Sequence, residues 1–547
     1  MRGFSVLGVS AVFSFSTLCA LGIAGCSSEQ FERSPAGTAG AAGAAGAAGA
    51  EGSDAGAKPG VKIDAGTKTP APPPSCTPKP GADEPDDAFV DGNCDGIDGD
   101  IERAVFVAPS GNDAGAGSPN DPLATLNTAI EVAASADKDV YVCNGDYPEN
   151  VAFLKKNVRV FGGYDCQDGW KRGSEHARVA PTSGVALSVG NVDSAHFEAI
   201  DFEAPDATGP SASSIAVIVG ESVVSFRHSN MSAGNGANGA PGAPGASPST
   251  TLPVAADGTS VTVPSCDTYG SAWPGSPCAS AAAGGNHIAP SGCSGNVVGV
   301  AGGKGGDGGN HKAGLVAQNG QTVFQGGAGG KASSSGGTVG APGAAGEAGV
   351  AGAAGGAIGT VLAGTYAATN VGGDGSAGKY GRGGGGGAGG WSALSCADVF
   401  NCYILGSGGG QGGYGGCGGT AGKGGGAGGA SIALLVIDAT VDISESTLRT
   451  SNGGAGAPGG KGGAGQAGGA GGKGGSHVVV SPKYFGKAGG AGGKGGNGGD
   501  GGMGGGGASV GILVYMASQP TTASVEFELG TAGTGGTNGV SSPIFTL

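Results

Sequence analysis

The chain reads as all-β: short strands stacked in a repeating, solenoid-like coil, entered through one helix and interrupted by glycine-rich insertions. Three observations lead there. Short β-branched runs separated by turns, none long enough for an up-and-down barrel, recur at a few strands per roughly 20 to 30 residues, which suits stacked coils. The stretch 214–242, SIAVIVGESVVSFRHSNMSAGNGANGAPG, aligns without gaps on 431–459, SIALLVIDATVDISESTLRTSNGGAGAPG. Glycine supplies 128 of 547 residues, and long runs of it keep a strict phase of three.

The opening MRGFSVLGVSAVFSFSTLCALGIAGC has one base, Arg2, an apolar core, and Ile23-Ala24-Gly25-Cys26 before polar Ser27-Ser28-Glu29-Gln30. It resembles a bacterial secretory signal ending in a lipobox. The resemblance implies a leader over 1–25, cleavage before Cys26, a diacyl anchor on its thiol and, with Ser27 next, sorting to the outer membrane. An ordinary signal peptide or a membrane helix is the alternative. No later stretch is apolar enough to span a bilayer, so the expected membrane contact is the lipid anchor alone. Residues 26–75, with GTAGAAGAAGAAGAEG and KTPAPPPS, read as a disordered Ala/Gly/Pro-rich tether.

The net charge is −15, and nine carboxylates fall between Asp83 and Glu102 without one base. A nucleic-acid partner would demand the opposite sign. Beyond Cys19 in the leader and Cys26, ten cysteines remain: Cys76, Cys94, Cys143, Cys166, Cys266, Cys278, Cys293, Cys396, Cys402 and Cys417. An even number in an exported chain favours disulfides, and the short loops make Cys76 with Cys94 and Cys143 with Cys166 the simplest pairings. No C-x-x-C or H-x-x-H spacing occurs, which argues against a zinc site.

Within 76–103, Asp91-Gly-Asn93-Cys-Asp95-Gly96-Ile97 through Glu102 follows the D-x-N-x-D-G-x5-E spacing of calcium loops. Side-chain oxygens of Asp91, Asn93 and Asp95, the Ile97 carbonyl and a bidentate Glu102 would offer a hard cation its oxygens, with Gly96 making the sharp turn. No helices flank the loop, which makes it resemble the helix-free calcium loops of extracellular modules. The same residues fit an acidic solvated turn stapled through Cys94.

Residues 104–235 hold the strands AVFVA, VYV, NVRVFGGY, GVALSV, HFEAIDFE, IAVIV and SVVSFRHS. Asp121-Pro122 predicts a cap and first-turn proline for a helix carrying Leu123, Leu126, Ile130 and Ala133 on one face. FVAPSGND, GSPNDPLATLNTAIEVA and VYVCNGDYPENV resemble the opening of right-handed parallel β-helix domains of the pectate-lyase-like group. The resemblance implies that this helix caps the first coil, where an open β edge would otherwise be bare. In the internal repeat, Ile215, Val217, Val219, Val224, Phe226 and Met231 correspond to Ile432, Leu434, Val436, Val441, Ile443 and Leu448. A looser third copy occupies 508–539. Coils are therefore expected at 104–235, 431–452 and 508–547, with glycine-rich insertions at 236–430 and 453–507 leaving one corner.

From Gly486 to Gly507 two of every three residues are glycine, leaving Ala488, Ala491, Lys494, Asn497, Asp500 and Met503 in the third column. A polyproline-II-type helix has three residues per turn, so two bare faces and one decorated face follow. These runs resemble the PGRS-type glycine domains of bacterial surface proteins, which implies layered polyglycine II; disorder fits the same composition. Collagen would need far more proline.

Chemistry-bearing motifs are sparse. GGKGGD (302–307) and GGNGGD (495–500) match the start of RTX calcium repeats but lack the apolar position and the nine-residue period. Gly507-Ala-Ser509-Val-Gly511 spells a nucleophile elbow, yet Ser214 and Ser431 stand at the same place in the repeat, which favours a structural role. The histidines His176, His196, His228, His287, His311 and His477 show no triad spacing. Polysaccharide lyases of the resembled fold use clustered carboxylates with a base, and Asp193, Glu198, Asp201 and Glu203 with Arg227 are the available candidates. The expected function is that of a lipid-anchored, non-catalytic surface protein, structural or adhesive, meeting polysaccharide or extracellular matrix and holding calcium. A polysaccharide lyase or hydrolase and a passive spacer are the alternatives.

Overall fold

The computed structural model describes residues 76–79, 83–153, 157–262, 283–285, 301–309, 316–323, 326–394, 403–477 and 481–547. The expected leader, Cys26 and the tether lie outside them, as do Cys266, Cys278, Cys293, Cys396 and Cys402. The chain divides into two units, Met1–Pro73 and Pro74–Leu547, and the described residues all belong to the second.

Its β structure is overwhelmingly parallel, with one α-helix among the described residues. The first sheet aligns Ala104–Val107, Asp139–Cys143, Arg159–Asp165, Ala195–Glu198, Val223–Arg227, Thr440–Ser444 and Thr521–Ala523, with Lys171–Arg172 antiparallel on Arg159–Asp165. The second aligns Asp146–Tyr147, Ala177–Val179, Ile200–Ala204, Met231–Ala233, Thr447–Thr450 and Glu526–Glu528. The third aligns Val151–Phe153, Leu187–Gly190, Ser214–Gly220, Ser431–Ile437, Ser509–Tyr515 and Ser541–Thr546. From Asp139 onward the chain visits first, second and third sheets in rotation, so each strand pairs with its counterpart from the next circuit.

Side chains alternate as a pleat requires. Val224 and Phe226 are buried while Ser225 and Arg227 face outward. Phe226 stacks on Phe197 at 5.4 Å between centroids, and Phe153 meets Phe197 edge-on at 5.3 Å. The six repeat pairs become neighbours across the ladder: Ile215, Val217 and Val219 face Ile432, Leu434 and Val436, Val224 and Phe226 face Val441 and Ile443, and Met231 faces Leu448.

Two local readings are corrected. The helix is Leu126–Ala136 and its cap is Thr125, whose side chain accepts the Thr128 N–H. Asp121 is used earlier, closing the preceding loop by accepting the Ala116 N–H, and Asp113 and Glu149 take the amides of Ala124, Thr125 and Leu126. Leu123 stays buried but precedes the helix. HFEAIDFE is two strands in two sheets, because Ala199 turns through a left-handed φ of 55°. His228, Glu445 and Ser524 repeat that turn in later circuits with φ of 48°, 51° and 55°.

The three glycine-rich insertions leave after a strand of the second sheet and return at a strand of the third: Ala233 to Ser431, Thr450 to Ser509, Glu528 to Ser541. Every third amide from Gly486 to Gly507 donates to every third carbonyl of the antiparallel run 475–454, at 2.8–3.1 Å. The next column, Lys487 to Gly505, donates to Ala388 through Asn370. Carbonyls of the same run accept from Gly340–Gly355 and from Gly410–Gly428, so it touches four neighbours and bonds to each at a period of three. A β-carbon on Gly492 would lie 1.9 Å from the Tyr414 carbonyl oxygen, and one on Gly493 2.0 Å from that of Ala344. Only glycine fits such an approach. The third column turns outward, with Ala491, Lys494, Asn497 and Met503 exposed.

Candidate functional site

The acidic stretch 83–102 lies against the outer face of the first sheet, and the bases it lacks locally come from that face. Arg159 bridges Glu84 (3.1 Å) and Asp139 (2.7 Å), Arg172 bridges Asp98 (3.2 Å) and Glu198 (2.6 Å), and Arg227 bridges Asp87 and Glu445 (3.1 Å). Each arginine thus ties one carboxylate of the stretch to one carboxylate in, or directly after, a strand of the sheet. Arg178 works similarly between Asp146 and Glu203, at 2.8 and 2.6 Å, without touching the stretch.

Within the stretch, residues 91–97 fold back on themselves. Asp91 accepts the N–H groups of Asp95 and Gly96 at 3.1 and 2.9 Å, Asn93 accepts that of Asp95 at 2.8 Å, and Asp95 accepts those of Ile97 and Ile101 at 3.2 and 2.9 Å. Gly96 takes φ 110°, open to glycine alone without strain. Asp91, Asn93 and Asp95 are thereby gathered on one turn, while Glu102 stands exposed in the one-turn helix Ile101–Arg103. The Ile97 side chain anchors the turn among buried Phe106, Tyr141, Tyr164 and Trp170. Tyr164 donates to the Asp98 carbonyl at 2.8 Å, and Tyr141 accepts the Asp100 N–H at 3.0 Å. Disulfides join Cys76 to Cys94 and Cys143 to Cys166, and Cys417 is also disulfide-bonded. Three oxygen-bearing side chains thus share one tight turn, each accepting backbone N–H groups of that turn or of Ile101.

Arg172 carried no signal in the sequence. It lies on a two-residue strand whose place depends on contacts far along the chain, and its guanidinium also donates to the carbonyls of Gly162 and Asp86, both at 3.1 Å. Burial pushes the Asp98 carboxyl up to about 6 even with Arg172 beside it. Burial pulls Glu198 upward too, but hydrogen bonds from His196 and Arg172 outweigh it and hold Glu198 below the ordinary carboxylate range. One cation between two buried carboxylates cannot neutralise both, and Glu198, with His196 Nε2 at 3.1 Å, keeps the charge.

The candidate catalytic patch does not assemble. The turn at Ala199 leaves Glu198 on the first sheet and places Asp201 and Glu203 on the second, where His176 takes Asp201 at 2.8 Å and Arg178 takes Glu203. Asp193 lines a separate groove with Glu221 and Asp438. Arg227, 3.8 Å from Glu198, is engaged by Asp87 and Glu445. Ser214, Ser431 and Ser509 stack in the third sheet, buried, each donating to a backbone carbonyl, those of Pro205, Ala233 and Ser451. The aspartates of the RTX-like stretches are likewise engaged: Asp307 accepts the Gly284 N–H, and Asp500 binds Lys461 and the Gly462 N–H. A cavity of about 230 Å³ opens between Asp87, Phe89, Arg172, His176, Glu198 and His228.

Comparison of the chain with protein-family models, with curated proteins and with solved structures finds no match in any of the three. Among the described residues no helix is long and apolar enough to cross a membrane.

Proposed function

We propose that this chain is a lipid-anchored protein of the outer cell surface with a structural or adhesive role and no catalytic activity. In this reading the three rotating sheets form a right-handed parallel β-helix, and the glycine runs form a polyglycine-II lattice grafted onto one of its corners. The observation that carries the reading is the continuity of register between the two. The offset of 217 that pairs Ser214 with Ser431 in the strands also governs the glycine corner, where Asn235, Asn238 and Ser247 accept the amides of Asn452, Ala455 and Ala464. A passive spacer has no need of such registration.

The partner is polysaccharide or extracellular matrix, met by the exposed third columns and by the peptide groups of the outermost runs. A calcium ion held by Asp91, Asn93, Asp95, the Ile97 carbonyl and Glu102 rigidifies the acidic stretch. The engagement of Arg172, Arg178 and Arg227 by paired carboxylates supports a non-catalytic role, since a lyase needs a base free to reach substrate.

The test is to offer the purified protein acidic and neutral polysaccharides, with and without calcium, scoring retention and new chain ends. Retention without new ends is expected, weaker after chelation. Release of new chain ends would overturn the reading, and absence of retention on every glycan would leave the spacer as the better account.

A further inference from the structure

Asp87, His228 and Glu445 come from three distant stretches, yet one ligand atom of each lies within 4.8 Å of the other two. His228 and Glu445 are equivalent residues of successive circuits. Each follows a strand of the first sheet, each is left-handed at φ 48° and 51°, and the His228 N–H donates to Ser444, the residue before Glu445. The shared backbone turn sends both side chains off the same corner. Asp87 arrives from the acidic stretch, positioned by its neighbour Asp86, whose N–H meets the Asp98 carboxylate and whose carbonyl meets Arg172.

His228 Nε2 stands 3.2 Å from Asp87 Oδ1 and 3.0 Å from Glu445 Oε2. A ring nitrogen carries at most one proton, which the two oxygens would have to share in a weakened three-centre bond. A metal ion serves all three atoms: ligands with bonds of about 2.0–2.1 Å at tetrahedral angles sit about 3.3–3.4 Å apart. The donors are one imidazole nitrogen and two carboxylate oxygens, with Asp87 and His228 bordering the cavity of about 230 Å³, where a water has room as fourth ligand. Imidazole selects a borderline transition ion over calcium or magnesium.

We propose that Asp87, His228 and Glu445 form a zinc-type divalent metal site, separate from the 91–102 loop. Its role is to clamp the acidic stretch onto two stacked circuits. Arg227 is the built-in competitor, because its guanidinium bonds both carboxylates. Glu198, 3.8 Å away, is the carboxylate to which it turns when the ion binds.

The test uses the full-length protein, stripped with chelator and titrated with Zn²⁺, then with Co²⁺ as a spectroscopic probe. The expected result is a Zn²⁺ site that millimolar Ca²⁺ does not displace, with Co²⁺ absorption of the intense, low-coordination type. His228→Ala and Asp87→Asn weaken it at least tenfold, Asp91→Asn leaves it intact, and Arg227→Gln tightens it. Glu445→Gln, at a half-exposed side chain, repeats the loss if His228→Ala disturbs folding. Unchanged Zn²⁺ affinity in a folded His228→Ala or Glu445→Gln protein overturns the proposal. So does an Arg227→Gln variant that loses binding as Asp87→Asn does, since the cluster would then be an ion-pair network only.

Discussion

Arg172 donates to Glu198 across 2.6 Å with both side chains sealed from water, and the same guanidinium reaches Asp98 at 3.2 Å. Removing the arginine strands two buried carboxylates. Arg172→Met is expected to cost about 3–5 kcal/mol of unfolding free energy. Adding Asp98→Asn and Glu198→Gln to that variant should recover most of the loss, because a fully neutral cluster needs no counter-ion. Denaturant unfolding near neutral pH measures both.

The two carboxylates respond to pH with opposite sign. Asp98, pushed up by burial to about 6 from 3.8, holds a proton when folded that the unfolded chain has released. Its contribution is fully present below 3.8 and is lost as pH rises through about 6. Glu198 is held below its ordinary 4.5 by His196 and Arg172 against the pull of burial. Its contribution is present above 4.5 and is lost as pH falls through its folded value. Asp98→Asn should therefore stabilise the protein at about pH 8, with the gain vanishing toward about pH 4. Glu198→Gln should destabilise it at the alkaline end, with the cost fading in acid. Unfolding curves across that range test both signs.

The acidic stretch should come off the sheet more readily when Arg159 is neutralised. Arg159→Gln is expected to speed proteolysis within 83–100, and added salt should do the same, because Arg159–Glu84 is a partly exposed pair that ions screen. Arg178→Gln, whose partners Asp146 and Glu203 lie elsewhere, should leave the cleavage rate unchanged.

In the glycine lattice the column decides the outcome of a substitution. Gly492→Ala drives a methyl to 1.9 Å from the Tyr414 carbonyl, so the runs must part, at a cost of about 1–3 kcal/mol or more. Ala491→Gly, one residue away and exposed, should cost under about 1 kcal/mol. Thermal midpoints compare the two, and hydrogen exchange at Gly413 and Gly469 reports whether the lattice opened.

What was legible in the sequence is what depends on periodicity. The gapless repeat named the residues that face one another, because parallel strands of successive circuits pair in register and one core selects apolar residues at matching places. Phase-three glycine marked the two bare columns, because a β-carbon there meets a neighbouring backbone. The break at Ala199 left no such mark. Alanine adopts a left-handed turn only when the surrounding strands enforce it, and HFEAIDFE alternates smoothly across the break. The helix cap was misplaced for a related reason: Asp121 and Thr125 are both able caps, and the choice rests on Asp113 and Glu149, which reach the helix start from other segments.

The amino-acid order by itself determined the predominance of β structure, the facing pairs of the repeat, and the rule that glycine fills two columns of three. Each follows from spacing along the chain, through side-chain alternation and backbone clearance. Only the tertiary structure decided where the charges go. Glu84, Asp87 and Asp98 find Arg159, Arg227 and Arg172 at separations of 74 to 140 residues, and Glu198 parts from Asp201 at a corner that the strands impose. Ion pairing depends on distance in space and on exclusion of water, and neither is written in local order.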